Sequence, residues 1–115
     1  VEELESEECR AIVGAANNPL ASPAVGEALA RRGVLYAPDF VVNAGGLLSV
    51  LFETGVLDEV GIVARVERIG ADLEELLVRA EGEDSPPFRV ADRVVAERLA
   101  AARAVQAAVR TATPA

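Results

Sequence analysis

At 115 residues the chain has room for one modest core, and its hydrophobic content of 51% is ample for a folded domain. The 11 basic and 19 acidic residues give a formal net charge of −8, which argues against nucleic acids and anionic membrane surfaces as partners, since basic faces bind both. A single cysteine and no histidine exclude an internal disulfide and a nucleophile–histidine pair, disfavour a zinc site, and fit a reduced, cytoplasmic setting.

The first half of the chain predicts a β-α-β unit. Residues 9–16 form a short apolar run with β-branched side chains that stops at Asn-Asn-Pro, which predicts a buried strand and then a loop. The Ser-Pro pair at 22–23 supplies an N-cap and a first-turn proline for a helix, which Gly33 ends. Residues 34–36 predict a second short strand. After a proline-containing turn, residues 40–42 are expected to be extended again.

Helices are predicted for the rest of the chain. The first runs from Ala44 to about Gly55. Asp58 is placed to cap a long second helix, whose apolar residues recur at intervals of four and three and so form one continuous face. That face comprises Ile62, Val66, Ile69, Leu73, Leu76 and Ala80. The last helix extends from about Arg89 to Val109. Its apolar face comprises Ala91, Val94, Val95, Leu99, Ala102 and Val105.

These elements indicate an α/β fold with an incomplete sheet. Two strands are too few for an independent sheet, so the first half of the chain is expected to need further strands. The chain starts at Val1 and contains no methionine, which hints that it is a piece of a longer protein. No run of residues approaches the ~20 apolar residues of a membrane-spanning helix.

Two apolar runs each stop at an amide side chain among small residues. The run at 13–16 leads into Asn17 and Asn18, and the run at 40–42 leads into Asn43, which two glycines soon follow. Small residues let a backbone approach a flat ligand closely, and a carboxamide offers donors and an acceptor without net charge. Open α/β sheets bind ligands at the carboxyl ends of their strands. The pattern therefore predicts a ligand crevice on which Asn17 and Asn43 converge.

Each of these residues also has a plainer interpretation. Asn43 is expected at the N-cap of the following helix, where asparagine is common, and Asn-Asn-Pro is ordinary turn chemistry. The glycines at 45–46 are costly in a first helical turn, at roughly 1 kcal/mol each, which close approach of a substrate or a neighbouring helix would explain. Asp39 and Glu53 are candidate general bases, although surface or capping roles are favoured for both.

The sequence lacks the common nucleotide-binding motifs and contains no lysine. There is no G-x-G-x-x-G fingerprint and no Walker motif, and all basic residues are arginine. A lysine that acts through a lowered pKa or forms a Schiff base must therefore come from elsewhere.

Three segments resemble one enzyme family. CRAIVGAANNPLA, RRGVLYAPDFVVNAGG and RVADRVVAERL are similar to the carboxy-terminal part of the glutamate/leucine/phenylalanine/valine dehydrogenases, most closely to the leucine, valine and phenylalanine branch. The similarity spans roughly residues 4–103. It implies the latter part of a Rossmann-like NAD-binding domain with short parallel strands, followed by three helices. Residues 1–57 would then belong to the dinucleotide-binding domain, and residues 58–115 would be helices that pack back toward a substrate domain outside this chain.

The resemblance also implies a reaction and its partners. Family members oxidatively deaminate an L-amino acid to a 2-oxo acid and ammonia with NAD as the hydride acceptor. The phosphate-binding loop and the catalytic lysine and aspartate would lie upstream, so this chain alone should not catalyse. The missing amino-terminal part and further copies in a homo-oligomer are the expected protein partners. A free-standing, non-catalytic α/β module remains the alternative.

Site residues can be carried over where the motifs match. Ala16 and Asn17 fall where the family lines the nicotinamide and its ribose, and Asn43 falls where it contacts the cofactor and the substrate. Leu73 and Leu76 fall on the helix that walls the substrate side-chain pocket. Two apolar residues there suit an aliphatic or aromatic substrate and suit glutamate badly. Pro19 departs from the glutamine that is common in the family, which removes a donor at that position.

Overall fold

The computed structural model of the chain describes residues 9–112, which form two short strands and five helices. In chain order these are β1 (Ala11–Ile12), α1 (Pro23–Arg31), β2 (Leu35–Tyr36), α2 (Asp39–Val42), α3 (Gly45–Glu53), α4 (Glu59–Gly82) and α5 (Pro87–Ala112). The described part is elongated, at 62 × 31 × 24 Å, because α4 and α5 are long. This α/β fold has a short parallel sheet followed by the three helices α3, α4 and α5, as predicted, with the additional four-residue helix α2 before them.

The two strands pair in parallel, with α1 as the connection between them. Ala11 lies opposite Leu35 and Ile12 opposite Tyr36. Both strands are shorter than predicted, and the prediction that residues 9–16 are buried is wrong, since Val13 is 60% exposed. The physical reason is that no third strand lies beside this pair among the described residues, so much of its surface stays open.

The segment predicted to be extended at residues 40–42 is helical. Pro38 has a φ of −57° and stands at the N-cap of α2, and its carbonyl accepts from the amides of Val41 and Val42 at 3.0 and 3.2 Å. Val41 packs against the core on α4, which favours the helical turn over a strand. The expected N-cap role of Asn43 is also wrong. Asn43 is the C-cap of α2, and Ala44 precedes α3.

The predicted helix boundaries are otherwise close to those observed. Ser22 precedes α1 in an extended conformation, although its side chain makes no capping bond. Gly33 and Gly55 follow α1 and α3 with φ values of 73° and 74°, a conformation that glycine adopts without strain. The carboxylate of Asp58 accepts from the amide of Gly61 at 2.7 Å, which confirms the predicted cap of α4.

Two hydrophobic clusters meet at the beginning of α5. One joins α4 to α5 and comprises Leu76, Ala80, Val90 and Ala91. The other joins α1 and β2 to α5 and comprises Leu29, Tyr36 and Phe88. Because Phe88 and Val90 belong to different clusters, the first turn of α5 connects the β-α-β unit to the helical part. Only the carboxyl-terminal end of the predicted α4 face is fully buried, and Val66 is 47% exposed.

Charged residues add a second connection between α4 and α5. Arg79 binds Glu83 at 2.6 Å and reaches Glu97 on α5 with two nitrogens at 2.8 and 3.1 Å, while Arg93 pairs with Glu83. These hydrogen bonds from Arg79, and then from Arg93, hold the pKa of Glu83 below its usual range. The hydrogen bond from Arg79 lowers the pKa of Glu97 in the same way. None of the helices between residues 9 and 112 is both long and apolar enough to cross a membrane.

Candidate ligand-binding site

The loop after β1 and the helix after β2 meet at one edge of the parallel pair. The side-chain nitrogen of Asn43 donates to the carbonyl oxygen of Ala15 at 2.7 Å and to the side-chain oxygen of Asn17 at 3.2 Å. The structure thus brings together the two amides that follow the apolar runs at 13–16 and 40–42, although Asn43 closes the helix α2 and not the predicted extended segment. Their roles toward a ligand remain predictions.

The contact leaves defined hydrogen-bonding groups unused. Both hydrogens of the Asn43 amide are engaged, so its side-chain oxygen is left as an acceptor. Asn17 uses its oxygen, so its side-chain nitrogen is left as a donor. Neither group has a partner among residues 9–112. Asn17 is exposed and Asn43 is partly buried, so an acceptor and a donor stand side by side where a small molecule can reach them.

A third polar residue, Asp39, joins this cluster. Its carboxylate accepts from the backbone amide of Asn18 at 2.9 Å and from the hydroxyl of Tyr36 at 3.4 Å. Burial, and then the negative charge of Asp39, raise the pKa of the Tyr36 hydroxyl. Sequence reasoning favoured a surface or capping role for Asp39 and missed these contacts. A usable signal was present, since a carboxylate just after the second of two parallel strands lies beside the loop after the first.

Small residues leave open space around the amides. A methyl group at Gly45 or Gly46 would have no heavy atom from outside its own stretch of chain within 4 Å, and the same is true of Gly14. The neighbouring helix that would have explained the paired glycines is therefore absent from the described part of the chain. Ala16 lies exposed in the same loop as Asn17. The space beside these residues is open to a flat ligand.

The other predicted site residues lie in the helical part. Leu76 is buried in the α4–α5 cluster and lines a groove of about 480 Å³. Leu73 packs against the same cluster but does not line the groove. The apolar lining comprises Phe40, Val41, Ala44, Leu48, Ile69, Leu76, Ala91, Val94 and Val95, and the charged lining comprises Arg65, Asp72, Glu75, Arg79, Glu97 and Arg98. Ala44, one of the lining residues, follows Asn43 directly in the chain.

Comparison with known proteins shows which family the chain matches. Residues 1–105 match the glutamate/leucine/phenylalanine/valine dehydrogenases. Valine dehydrogenase of Streptomyces albus is 43% identical over 95 residues, which cover 83% of this chain and 26% of that protein. Phenylalanine dehydrogenase of Thermoactinomyces intermedius is 42% identical over 91 residues, covering 79% of this chain and 25% of that protein.

A solved structure gives the same result. The crystal structure of L-tryptophan dehydrogenase from Nostoc punctiforme superposes with a TM-score of 0.73 at 33% identity, covering 82% of this chain and 28% of that one. The chain spans about a quarter of the length of the curated relatives it matches. On the family match and these similarities, the chain belongs to the glutamate/leucine/phenylalanine/valine dehydrogenase family.

Proposed function

We propose that this chain forms the nicotinamide and substrate end of the cleft in an NAD-dependent L-amino-acid dehydrogenase. The enzyme would convert a branched-chain or aromatic L-amino acid to its 2-oxo acid and ammonia. The observation that carries the proposal is the contact between Asn43, at the end of α2, and Asn17, in the loop after β1. Family membership supports the reaction class, since the named relatives are valine, phenylalanine and tryptophan dehydrogenases.

The unused groups of the amide pair fit the ligands of such an enzyme. The carboxamide of a nicotinamide ring presents one acceptor and two donors, which complement the free nitrogen of Asn17 and the free oxygen of Asn43. The free oxygen of Asn43 can equally accept from the amino group of a substrate. A partly buried amide gives such contacts direction without adding a charge that would have to be desolvated.

The backbone around the pair also fits a flat cofactor. The open space at Gly14, Gly45 and Gly46 would be reduced by any larger side chain, and Ala16 adds only a methyl group beside Asn17. NAD, when bound, supplies the hydride acceptor. The asparagines and glycines would hold the face of the nicotinamide ring at a fixed separation from the reacting carbon of the substrate. Such positioning speeds hydride transfer, because the two reactants no longer have to find the reactive geometry by chance.

The apolar surface next to Asn43 supports an apolar substrate side chain. Leu76 and Ala44 line the same groove, and Leu73 packs against the cluster that contains Leu76. The groove also carries three arginines, of which Arg79 is already paired with Glu97, so the support for an apolar substrate comes from the two leucines and from the valine and phenylalanine dehydrogenases among the relatives. We therefore assign Leu73 and Leu76 to the wall of the substrate side-chain pocket and expect valine, leucine or phenylalanine rather than glutamate as the substrate.

We assign proton transfer to groups outside this chain. The sequence contains no lysine, and the family resemblance implies that the catalytic lysine and aspartate lie in an upstream segment. The relatives are about four times longer than the aligned region, which leaves room for such segments. We propose that the chain works as part of a longer, cytoplasmic polypeptide that assembles into a homo-oligomer.

The test starts from the full reading frame that contains these residues. Its product is purified and assayed for reduction of NAD and of NADP with a panel of L-amino acids. The expected result is NAD-dependent oxidation of valine, leucine or phenylalanine and none of glutamate. Lack of turnover with every amino acid and both cofactors would refute the proposal.

A matched pair of variants then tests the amide. Asn43→Asp keeps the shape of the side chain but can place an oxygen where the amide nitrogen now lies 2.7 Å from the carbonyl of Ala15. We expect kcat/KM to fall by at least ~100-fold, since hydrogen bonds are lost and a charge is added at the site. Gln106→Glu makes the same chemical change on the exposed surface of α5 and is expected to leave kcat/KM unchanged.

The alternative is a free-standing α/β module without catalysis. The finding that favours it is that the sequence contains no lysine and no histidine to act on a substrate. A reading frame that begins next to Val1 would support it, whereas an upstream G-x-G-x-x-G segment and lysine-containing motifs would support the enzyme.

A further inference from the structure

The short helix α2 holds the loop after β1 at both of its ends. Asp39, its first residue, accepts from the backbone amide of Asn18 at 2.9 Å. Asn43, its C-cap, donates to the carbonyl of Ala15 at 2.7 Å. The segment between those points contains Asn17. We propose that Asp39 is a positioning residue that fixes Asn17 against Asn43, an inference that rests on the dehydrogenase function proposed above.

The carboxylate of Asp39 is itself fixed by buried neighbours. Pro38, directly before it, is fully buried, and Tyr36 is only 6% exposed and donates its hydroxyl to Asp39 at 3.4 Å. A carboxylate attached to a buried turn has little freedom to follow the loop. The loop must therefore conform to Asp39 rather than the reverse.

The loop has an uncommon backbone conformation at the residue that Asp39 contacts. Asn18 has a φ of 48°, in the left-handed region that residues other than glycine adopt infrequently. Its amide points at Asp39, and this is the hydrogen bond that holds the residue in that conformation. Release of the amide would let Asn18 return to an ordinary backbone conformation. That change would carry the adjacent side chain of Asn17 away from Asn43.

This role differs from that of a general base. Each oxygen of Asp39 accepts from a protein donor, whereas a base must present an oxygen to the substrate. Asp39→Asn separates the two roles. The carboxamide oxygen can still accept from Asn18, and its nitrogen can donate to the phenolic oxygen of Tyr36, but a carboxamide is no base. Asp39→Ala removes both contacts.

The experiment uses the full-length enzyme and two independent measurements. The first is the KM for NAD, which we expect Asp39→Ala to raise about tenfold with a smaller change in kcat, as for loss of a hydrogen bond to a charged acceptor. The second is hydrogen exchange, by NMR without ligands, of the Asn18 backbone amide and the Asn43 side-chain amide. Both should exchange faster in Asp39→Ala, and Asp39→Asn should restore both measurements toward the wild-type values.

Asp92 provides the matched control. It lines the same cavity of about 330 Å³ as Asp39, Asn18 and Tyr36, but it accepts no hydrogen bond from the described residues. Asp92→Asn removes one negative charge from that cavity and keeps the loop contacts. It is expected to leave the KM for NAD and both exchange rates unchanged.

Two results would overturn the inference. If Asp39→Asn lowers kcat as strongly as Asp39→Ala does, the carboxylate acts as a base. If Asp39→Ala leaves both exchange rates unchanged, it does not position the loop. Should Asp39→Ala fail to fold, Asp39→Glu keeps the charge but displaces its oxygens, and the same two measurements apply. A wild-type enzyme without dehydrogenase activity would refute the proposed function, and the exchange rates alone would then decide whether Asp39 positions Asn17.

Discussion

The contact between α1 and α5 leads to a sharp prediction at Gly26. A methyl group at this position would lie 2.7 Å from one ring carbon of Phe88, 3.0 Å from another, and 3.1 Å from a methyl group of Leu20. Carbon atoms pack best at about 3.5–4.0 Å, so Gly26→Ala forces an overlap that the protein has to relieve. The ring of Phe88 is buried against Leu29 and Tyr36 and cannot move without displacing them.

The expected size of the effect is the difference between two terms. Overpacking a core costs about 1–3 kcal/mol, and alanine is better than glycine in a helix by about 1 kcal/mol. Gly26→Ala should therefore lower the free energy of unfolding by about 1 kcal/mol. Gly70→Ala is the matched control, because Gly70 lies within α4 and a methyl group there would have no heavy atom of another part of the chain within 4 Å. It should raise the free energy of unfolding by about 0.5–1 kcal/mol.

Urea unfolding followed by circular dichroism measures both changes. A double-mutant cycle with Phe88→Leu removes the opposing ring, and Gly26→Ala should then be less damaging than in the wild-type background. If Gly26→Ala stabilises the protein as much as Gly70→Ala does, the packing argument for the start of α5 is wrong.

Two further predictions concern the ion pairs and the paired glycines. Arg79 lowers the pKa of Glu83 and of Glu97, so these contacts stabilise the folded state above the usual carboxyl pKa and are lost as the pH falls through the lowered values. In Arg79→Gln, the free energy of unfolding measured in urea should therefore fall less between neutral and acid pH than it does in the wild type. A pH dependence equal to that of the wild type would contradict this. Gly45→Ala should raise the thermal midpoint, because the added methyl group has open space. If a ligand occupies that space, Gly45→Ala should also raise the KM for NAD or for the amino acid, which steady-state kinetics would detect.

The sequence predicts best what local chemistry decides. Asp58 caps α4 because its side chain reaches an amide three residues away, and the stop after α3 needs only Gly55. The segment at residues 40–42 is different. A short apolar run fits a strand or a helical turn equally well by periodicity, and the choice depends on the packing of Val41 against α4. Because these residues form a helical turn, Asn43 is the C-cap of that turn and not the N-cap of α3.

The candidate site was predictable in part. The parallel arrangement places the loop after β1 beside the segment after β2, so the approach of Asn17 and Asn43 follows from the order of the elements, although Asn43 ends a helix and not the predicted extended segment. The donor and acceptor that remain free do not follow from it, because they depend on which atom of each amide faces the other. The position of Asp39 after β2 predicts a carboxylate beside the loop after β1, but which amide it meets depends on the left-handed conformation of Asn18, which the sequence does not specify.

The amide pair cannot be what holds the site in shape. A net hydrogen bond contributes about 0.5–1.5 kcal/mol, and solvent competes for one as exposed as that between Asn17 and Asn43. The buried turn between β2 and α2, where Ala37 is 2% exposed, is far harder to displace. Because Phe88 packs against Tyr36 at the start of that turn, the docking of α5 determines where α2 lies and therefore where Asn43 points. A substitution that shifts Phe88 should change ligand affinity even though Phe88 lies outside the amide cluster.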